Sequence, residues 1–227
     1  DNPVHHAVQA RWVADLSPKA LVFEMLTPEQ AARVDKEDIA SKERLEAALD
    51  WANSGWPDFA MYHPIFLAAP DAVFVGAGVP RAQVRDMMEK PLTDVFGPEA
   101  SARFGLDKAL PDGQQTARED LQRSAHCDAL PEEMLPMMVG VQRLRDAALA
   151  QAALDALGAT GGPVAVITGN GHAREDWGAP YLVRYAAPQV QVFSLGQGEA
   201  GQAPVGAFGT VVDGPGVDRG DPCDAFR

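Results

Sequence analysis

The sequence predicts an α/β fold, with a mainly parallel sheet flanked by helices and a smaller inserted helical lobe. Apolar runs of strand length alternate with helical patterns, which is typical of parallel strands joined by helical connections. The stretch 81–131 shows helical windows but no strong strand pattern. We therefore assign residues 1–80 and 132–227 to the sheet domain and residues 81–131 to the helical lobe.

The chain opens with the pattern of an amphipathic helix. Asn2 and Pro3 supply an N-cap and a first-turn proline. Apolar residues then recur at every fourth position, namely Val4, Val8, Trp12 and Leu16. The run at 20–25 (ALVFEM) predicts the first strand, and the capping-box pattern at 27–30 begins a helix that we expect to continue to residue 51.

Further apolar runs predict three more strands and one edge strand. The second strand is expected at 72–77, the third at 163–168 and the fourth at 189–195, with an edge strand at 207–213. Helices are expected from Arg81 and over 132–157, where Pro136 is expected to kink the first turn. In the long helix, Gln142, Arg145 and Asp146 place polar groups beside the apolar stripe, although Arg145 and Asp146 also suit an ordinary surface pair.

Composition and charge exclude several classes of protein. The chain contains 19 Lys and Arg residues and 32 Asp and Glu residues, so its net charge is −13. This charge would repel nucleic acid and anionic lipid. The apolar runs are too short to cross a bilayer. Cys127 and Cys223 are either two unreactive thiols or one disulfide, which in the chain-entropy model contributes about 4–5 kcal/mol. No P-loop, GxSxG or HExxH motif is present, so P-loop nucleotide binding and serine hydrolysis have no motif to support them.

Several polar residues follow strands, at the edge where parallel sheets bind ligands. The GNGH turn places His172 after the third strand, where the alternative is a histidine that caps the next helix. Glu24 follows the first strand, and a carboxylate in an apolar run requires a cation, a metal or a donor. Arg81 follows the second strand, and its planar guanidinium suits a carboxylate.

Other histidines and an aromatic cluster are weaker candidates. His126 ends a helical window and is either a ligand or a hydrogen-bonded lobe residue. Tyr62 stands among aromatic residues that suit a flat ligand or ordinary core packing. Of His5 and His6 in the first helix, one is expected to face the site unless both are solvated.

Several strings together resemble the ChaN-type haem-binding lipoprotein family over nearly the whole chain. The strings are DNPVHH, LVFEM around Glu24, residues 56–64, GVPR ending at Arg81, HC at 126–127, QRLRDAALA from Gln142, GNGHAREDWGAP from Gly169, and DPC ending at Cys223. The resemblance implies a parallel-sheet domain with a smaller helical domain, haem bound at a homodimer interface, and a role in iron uptake. It also implies a periplasmic or outer-membrane location, with a possible N-terminal lipid anchor outside this sequence.

The family is similar, more distantly, to the Tiki and TraB group, which resembles metal-dependent proteases with two GxxH elements and a glutamate. On that pattern GNGH supplies the second element through His172, and Glu24 matches the glutamate. The first element would stand before Asp1, so a complete site for a divalent metal cannot be assigned from this sequence.

The residues and the resemblance together lead to two ligand hypotheses. We expect a non-catalytic haem carrier or store, with haem held by residues drawn from Tyr62, Arg81, His126 and His172. The alternative is a metal-dependent hydrolase using Glu24 and His172. A third interpretation is an interaction protein whose cleft has no remaining function.

Overall fold

The computed structural model describes residues 2–221 and 223–224, which form helices around two small parallel sheets. The strands are β1 (Ala20–Phe23), β2 (Val73–Gly76), β3 (Val164–Ile167), β4 (Leu195–Glu199) and β5 (Thr210–Gly214). The helices are α1 (Pro3–Leu16), α2 (Pro28–Ala31), α3 (Lys36–Ile39), α4 (Lys42–Ala48), α5 (Phe59–Ala68), α6 (Arg81–Asp86), α7 (Leu92–Phe96), α8 (Pro98–Arg103), α9 (Asp112–Ala125), α10 (Leu135–Thr160), α11 (Asn170–Ala173) and α12 (Ala179–Ala186). The predicted α/β class is confirmed.

The main sheet has the strand order β2-β1-β3, and all of its pairs are parallel. The central strand β1 is buried on both faces. Leu21 and Phe23 pack on the core that includes α1 and α5, whereas Ala20 and Val22 pack on the core that includes α10 and α12. This two-sided burial explains why β1 reads as a continuous apolar run rather than an alternating one.

The predicted N-terminal caps form as expected. The Asn2 side chain accepts a hydrogen bond from the backbone N–H of Val4, and α1 begins at Pro3. The side chains of Thr27 and Gln30 form both hydrogen bonds of a capping box at the start of α2. The connection after β1 is therefore fixed by local side-chain hydrogen bonds.

The prediction of one helix over residues 28–51 is wrong. The chain forms three short helices there, α2, α3 and α4, followed by a 3₁₀ turn at Trp51–Asn53. Asp35 accepts a hydrogen bond from the N–H of Glu37, and Ser41 accepts one from the N–H of Arg44. Each of these caps starts a new helix because it provides the first turn with an acceptor.

The prediction of a fourth strand at 189–195 is also wrong. The strand begins only at Leu195, and β4 pairs with β5 in a separate parallel sheet rather than with β3. Phe208 packs so closely over Gly196 that a Cβ there would lie 2.7 Å from its ring. The predicted edge strand at 207–213 corresponds to β5, whose bounds are slightly later.

The stretch 81–131 contains the helices α6 to α9, and its assignment as a separate lobe stays a prediction. A disulfide joins Cys127 to Cys223, which settles the open question of the cysteines. Pro136 lies in the first turn of α10, where a missing N–H breaks no helical hydrogen bond. Within the described part of the chain, none of the helices combines the length and apolar character needed to cross a bilayer.

Candidate functional site

The carboxyl ends of β1 and β3 bring Glu24 and His172 together, as the sequence predicted. The N–H of Glu24 donates to the carbonyl of Ile167 and extends the ladder by one residue. Its Oε2 accepts hydrogen bonds from Thr168 Oγ1 at 2.6 Å and from the N–H of Gly169 at 3.1 Å. Its Oε1 lies 3.5 Å from His172 Nε2, and both side chains are largely buried.

A second carboxylate holds the other side of the His172 ring. Asp146 in α10 is fully buried, and its Oδ1 lies 2.7 Å from His172 Nδ1, while the Gln142 amide lies 3.1 Å from the same nitrogen. Burial by itself would lower the pKa of His172, but Asp146 and Glu24 outweigh it and raise that pKa. The imidazole is therefore fixed in orientation between two acids. Asp146 is not one half of a surface pair with Arg145.

Tyr62 and His6 meet next to this pair. The rings of Tyr62 and His6 lie edge to face with centroids 4.2 Å apart, and both side chains are buried. Burial and, secondarily, the charge of Glu24 raise the pKa of Tyr62 to about 12. Burial lowers the pKa of His6 to about 4, and its Nε2 is buried with no hydrogen-bond partner among the described residues. Of the two N-terminal histidines, His6 is the one that packs beside Tyr62.

The other predicted ligands have different surroundings. Arg81 is exposed at the start of α6, with its guanidinium near Gly55. His126 follows α9, where its Nδ1 lies 2.8 Å from the carbonyl of Gln122, next to the disulfide at Cys127. Their assignment to haem binding stays a prediction, as do the ligand roles of Tyr62, His172 and Glu24.

The second sheet is tied to the site loop by an amide pair. Asn170 Nδ2 donates to the carbonyl of Gln197 at 2.8 Å, and the N–H of Gln197 donates to Asn170 Oδ1 at 2.9 Å. The Gln197 side chain then donates to the carbonyl of His5. Asn170 is thus a positioning residue that sequence reasoning treated only as part of a turn.

Close packing at the start of α12 requires a glycine at position 178. A Cβ on Gly178 would lie 2.4 Å from the carbonyl oxygen of His172, so any side chain there would displace the His172 backbone. Arg174 forms two hydrogen bonds to Asp176 and stacks 3.5 Å from the centroid of Trp177. Gly178 therefore allows the start of α12 to pack directly on the backbone of His172.

An apolar cavity of about 460 Å³ runs along the outer edge of β3 and includes His172 in its lining. The remaining lining is mostly aliphatic or aromatic and comes from α1, α10, α12 and residues 190–195. Trp12 and Phe193 stack with centroids 6.0 Å apart and stay 40% and 61% exposed. The site therefore combines an apolar wall, a solvent-facing aromatic pair and an oriented imidazole.

Comparisons with known proteins agree with this architecture. The family model described as "Haem-binding uptake, Tiki superfamily, ChaN" matches residues 1–183. The chain belongs to this ChaN family. A solved structure described as "Cofacial heme binding to ChaN of Campylobacter jejuni" resembles it with a TM-score of 0.65 at 15% identity, covering 93% of this chain and 82% of that one. No curated protein sequence matches the chain.

Family membership confirms the resemblance inferred from the sequence strings. At 15% identity, the likeness to the Campylobacter jejuni ChaN structure shows a shared fold and assigns no ligand to individual residues.

Proposed function

We propose that this ChaN-family chain binds haem and serves as a non-catalytic carrier or store in haem or iron uptake. The feature that carries the proposal is the apolar cavity along β3 with His172 in its lining. Haem requires an apolar slot and an axial side chain, commonly His or Tyr. A volume of about 460 Å³ falls within the range of roughly 300–1,000 Å³ that is usual for small-molecule and cofactor pockets.

His172 is the residue of this lining that best suits axial ligation. Asp146 accepts the Nδ1–H, so the neutral imidazole carries its lone pair on Nε2, an arrangement that orients metal-binding histidines. Because the pKa of His172 is raised, a proton competes for this lone pair more strongly than it does at an ordinary imidazole. Bound haem would supply an iron atom as cargo.

Tyr62 suits ligation less well than His172. A tyrosine binds ferric iron as the phenolate, and burial raises the pKa of Tyr62 to about 12, which disfavours that form. Tyr62, Arg81 and His126 are not among the described residues that line the cavity. For these three, a role in haem binding depends on haem extending beyond the cavity.

A haemin titration followed by absorbance of the Soret band tests the proposal. We expect the protein to shift the band saturably and His172→Ala to weaken binding by about tenfold or more. Tyr62→Phe, Arg81→Gln and His126→Ala should have smaller effects.

Trp12→Ala should weaken haemin binding because it removes part of the aromatic wall. Leu67→Ala is the matched control, since Leu67 is an apolar side chain that is 47% exposed on α5. Absence of a saturable shift in the unmodified protein overturns the proposal.

Location and assembly belong to the same proposal. The Cys127–Cys223 disulfide supports an oxidising compartment, in agreement with a periplasmic or outer-membrane lipoprotein.

The exposed Trp12 and Phe193 support a homodimer that covers them when haem is bound. Light scattering after size exclusion, with and without haemin, tests the dimer, and an unchanged monomer mass at saturating haemin contradicts it.

A metal-dependent hydrolase is the second candidate, favoured by the 3.5 Å distance between Glu24 and His172. Within residues 2–221 and 223–224, no group of three or more His, Cys, Asp or Glu side chains is arranged to hold a metal ion. A divalent ion would therefore need a further ligand. Stoichiometric metal in the purified protein, with peptidase activity lost on chelation and in Glu24→Gln, supports this candidate. Full activity in Glu24→Gln counts against it.

A further inference from the structure

We infer that a second cavity, enclosed by α9, α10, α12 and residues 104–111, binds a small oxyanion such as phosphate or a short carboxylate through Arg118 and Arg143. The cavity has a volume of about 190 Å³, too small for haem and suited to an ion or a short organic acid. The inference is independent of haem binding.

Arg118 provides the strongest argument for the oxyanion. It is 6% exposed and lines the cavity, and its Nε and Nη1 are buried with no partners in the part of the chain that the structure describes. Its Nη2 donates to Gln114 Oε1 at 3.1 Å and to the carbonyl of Trp177 at 3.4 Å. A guanidinium buried with three unsatisfied N–H groups, one on Nε and two on Nη1, costs several kcal/mol, and an oxyanion that accepts from either nitrogen would offset part of that cost.

Arg118 keeps its charge in this environment. Burial lowers the pKa of Arg118 to about 10, so the guanidinium remains protonated at neutral pH. Its carbon Cζ lies 5.0 Å from the centroid of the Trp177 ring, which fixes the plane of the guanidinium. The donors are therefore oriented before a ligand arrives.

Two further cations line the same cavity. The hydrogen bonds of Arg143 end on the carbonyls of Gly105, Leu106 and Lys108 at 3.2–3.4 Å, which are neutral acceptors at long distances. Lys108 donates to the hydroxyl of Tyr185 at 2.7 Å. In a chain with a net charge of −13, three cationic side chains around one small cavity are a local excess of positive charge.

Asp146 is the acidic residue of this lining, and its Oδ1 is hydrogen-bonded to His172 Nδ1. Its Oδ2 has no partner among residues 2–221 and 223–224, and the charge of Arg118 acts favourably on the carboxylate. Against the single carboxylate of Asp146, the lining carries the three cationic side chains of Arg118, Arg143 and Lys108, so its net charge is positive and attracts an anion.

Calorimetric titration of the haem-free protein with sodium phosphate and, separately, sodium acetate tests the inference, with sodium chloride at equal ionic strength as the blank. We expect saturable binding with Kd in the millimolar range or tighter, and a loss of about tenfold or more in Arg118→Gln. Arg85→Gln, an exposed arginine on α6, should bind as the unmodified protein does. Tighter binding of phosphate indicates a tetrahedral ligand, and tighter binding of acetate indicates a carboxylate.

A second readout keeps the test informative if Arg118→Gln fails to fold. The indole N–H resonance of Trp177, assigned by comparison with Trp177→Phe, should shift saturably with the anion. Lys108→Gln and Arg143→Gln should each weaken that titration severalfold. No saturable heat and no shift up to about 50 mM anion would mean that the cavity holds only water, and this result overturns the inference. Equal affinity in Arg118→Gln also overturns it.

Discussion

At the scale of single residues, the site depends on how burial acts on imidazoles. His172 is buried between Asp146 and Glu24, and these acids raise its pKa. His6 is buried beside the ring of Tyr62, and burial lowers its pKa to about 4. The pKa values of these two buried histidines are therefore shifted in opposite directions because their neighbours differ.

The depressed pKa of His6 predicts a loss of stability in acid. An unfolded histidine titrates near 6.5, so between pH 6.5 and about 4 the unfolded chain takes up a proton that the folded chain does not. The free energy of unfolding is therefore unaffected by the protonation of His6 above pH 6.5. It falls by on the order of 3 kcal/mol as the pH decreases from 6.5 towards 4. His6→Gln should remove this part of the pH dependence.

Urea unfolding at pH 7 and at pH 4.5 measures the effect. The unmodified protein should lose more unfolding free energy between the two conditions than His6→Gln does. His5→Gln, the adjacent histidine, should keep the dependence of the unmodified protein. Identical losses for all three proteins would contradict the burial argument.

Two of the three residues in the Glu24–His172–Asp146 arrangement could be predicted from the sequence. Glu24 and His172 were predictable because each follows an apolar strand, and parallel strands end at one edge. Asp146 was recognised as polar but not as a partner of His172. The helix α10 is buried on several sides, so its pattern does not tell which polar residue points inward.

At the scale of elements, glycine positions decide how closely the helices approach the site. Gly178 lets α12 pack against the carbonyl of His172. Gly158 in α10 faces open space instead, since a Cβ there would have no neighbour within 4 Å among the described residues. The two residues therefore predict opposite effects of the same substitution.

Gly178→Ala should destabilise the fold by roughly 1–3 kcal/mol because the new methyl group meets backbone atoms. It should also weaken haemin binding, since His172 is displaced. Gly158→Ala should instead stabilise by about 0.5–1 kcal/mol, since alanine is the better helix former in an open position. Equal stabilities for the two variants in urea unfolding would refute the packing described around His172.

Strand predictions succeeded for the three strands of the main sheet and failed for the run at 189–195. The apolar runs of β1, β2 and β3 lie within the predicted limits. The alternating residues 189–194 do not form a strand, and most of them line the cavity opposite β3. Alternation of apolar and polar residues indicates the two faces of a strand but does not indicate which strand it pairs with. The observed strand β4 contains two glycines, which have low strand propensity, so its sequence does not predict a strand.

At the scale of the whole molecule, the disulfide links the end of the stretch 81–131 to the C-terminal segment across 96 residues. Two cysteines so far apart have no pairing signal in the sequence, because their approach depends on the complete fold. The family resemblance was visible in the sequence because its strings follow in order along nearly the whole chain.

The Cys127→Ser/Cys223→Ser variant should lose about 4–5 kcal/mol of unfolding free energy in the chain-entropy model. Reductant should lower the urea midpoint of the unmodified protein towards that of the variant and leave the variant itself unchanged. A variant as stable as the oxidised protein would show that this link does not constrain the unfolded chain.

A crystal structure of the protein soaked or grown with haemin, with iron located by its anomalous signal, would show where haem binds. We expect iron within bonding distance of His172 Nε2, the macrocycle against Trp12 and Phe193, and Asp146 still bonded to Nδ1. Iron bound elsewhere on the chain, with the cavity along β3 free of haem, would contradict haem binding at His172.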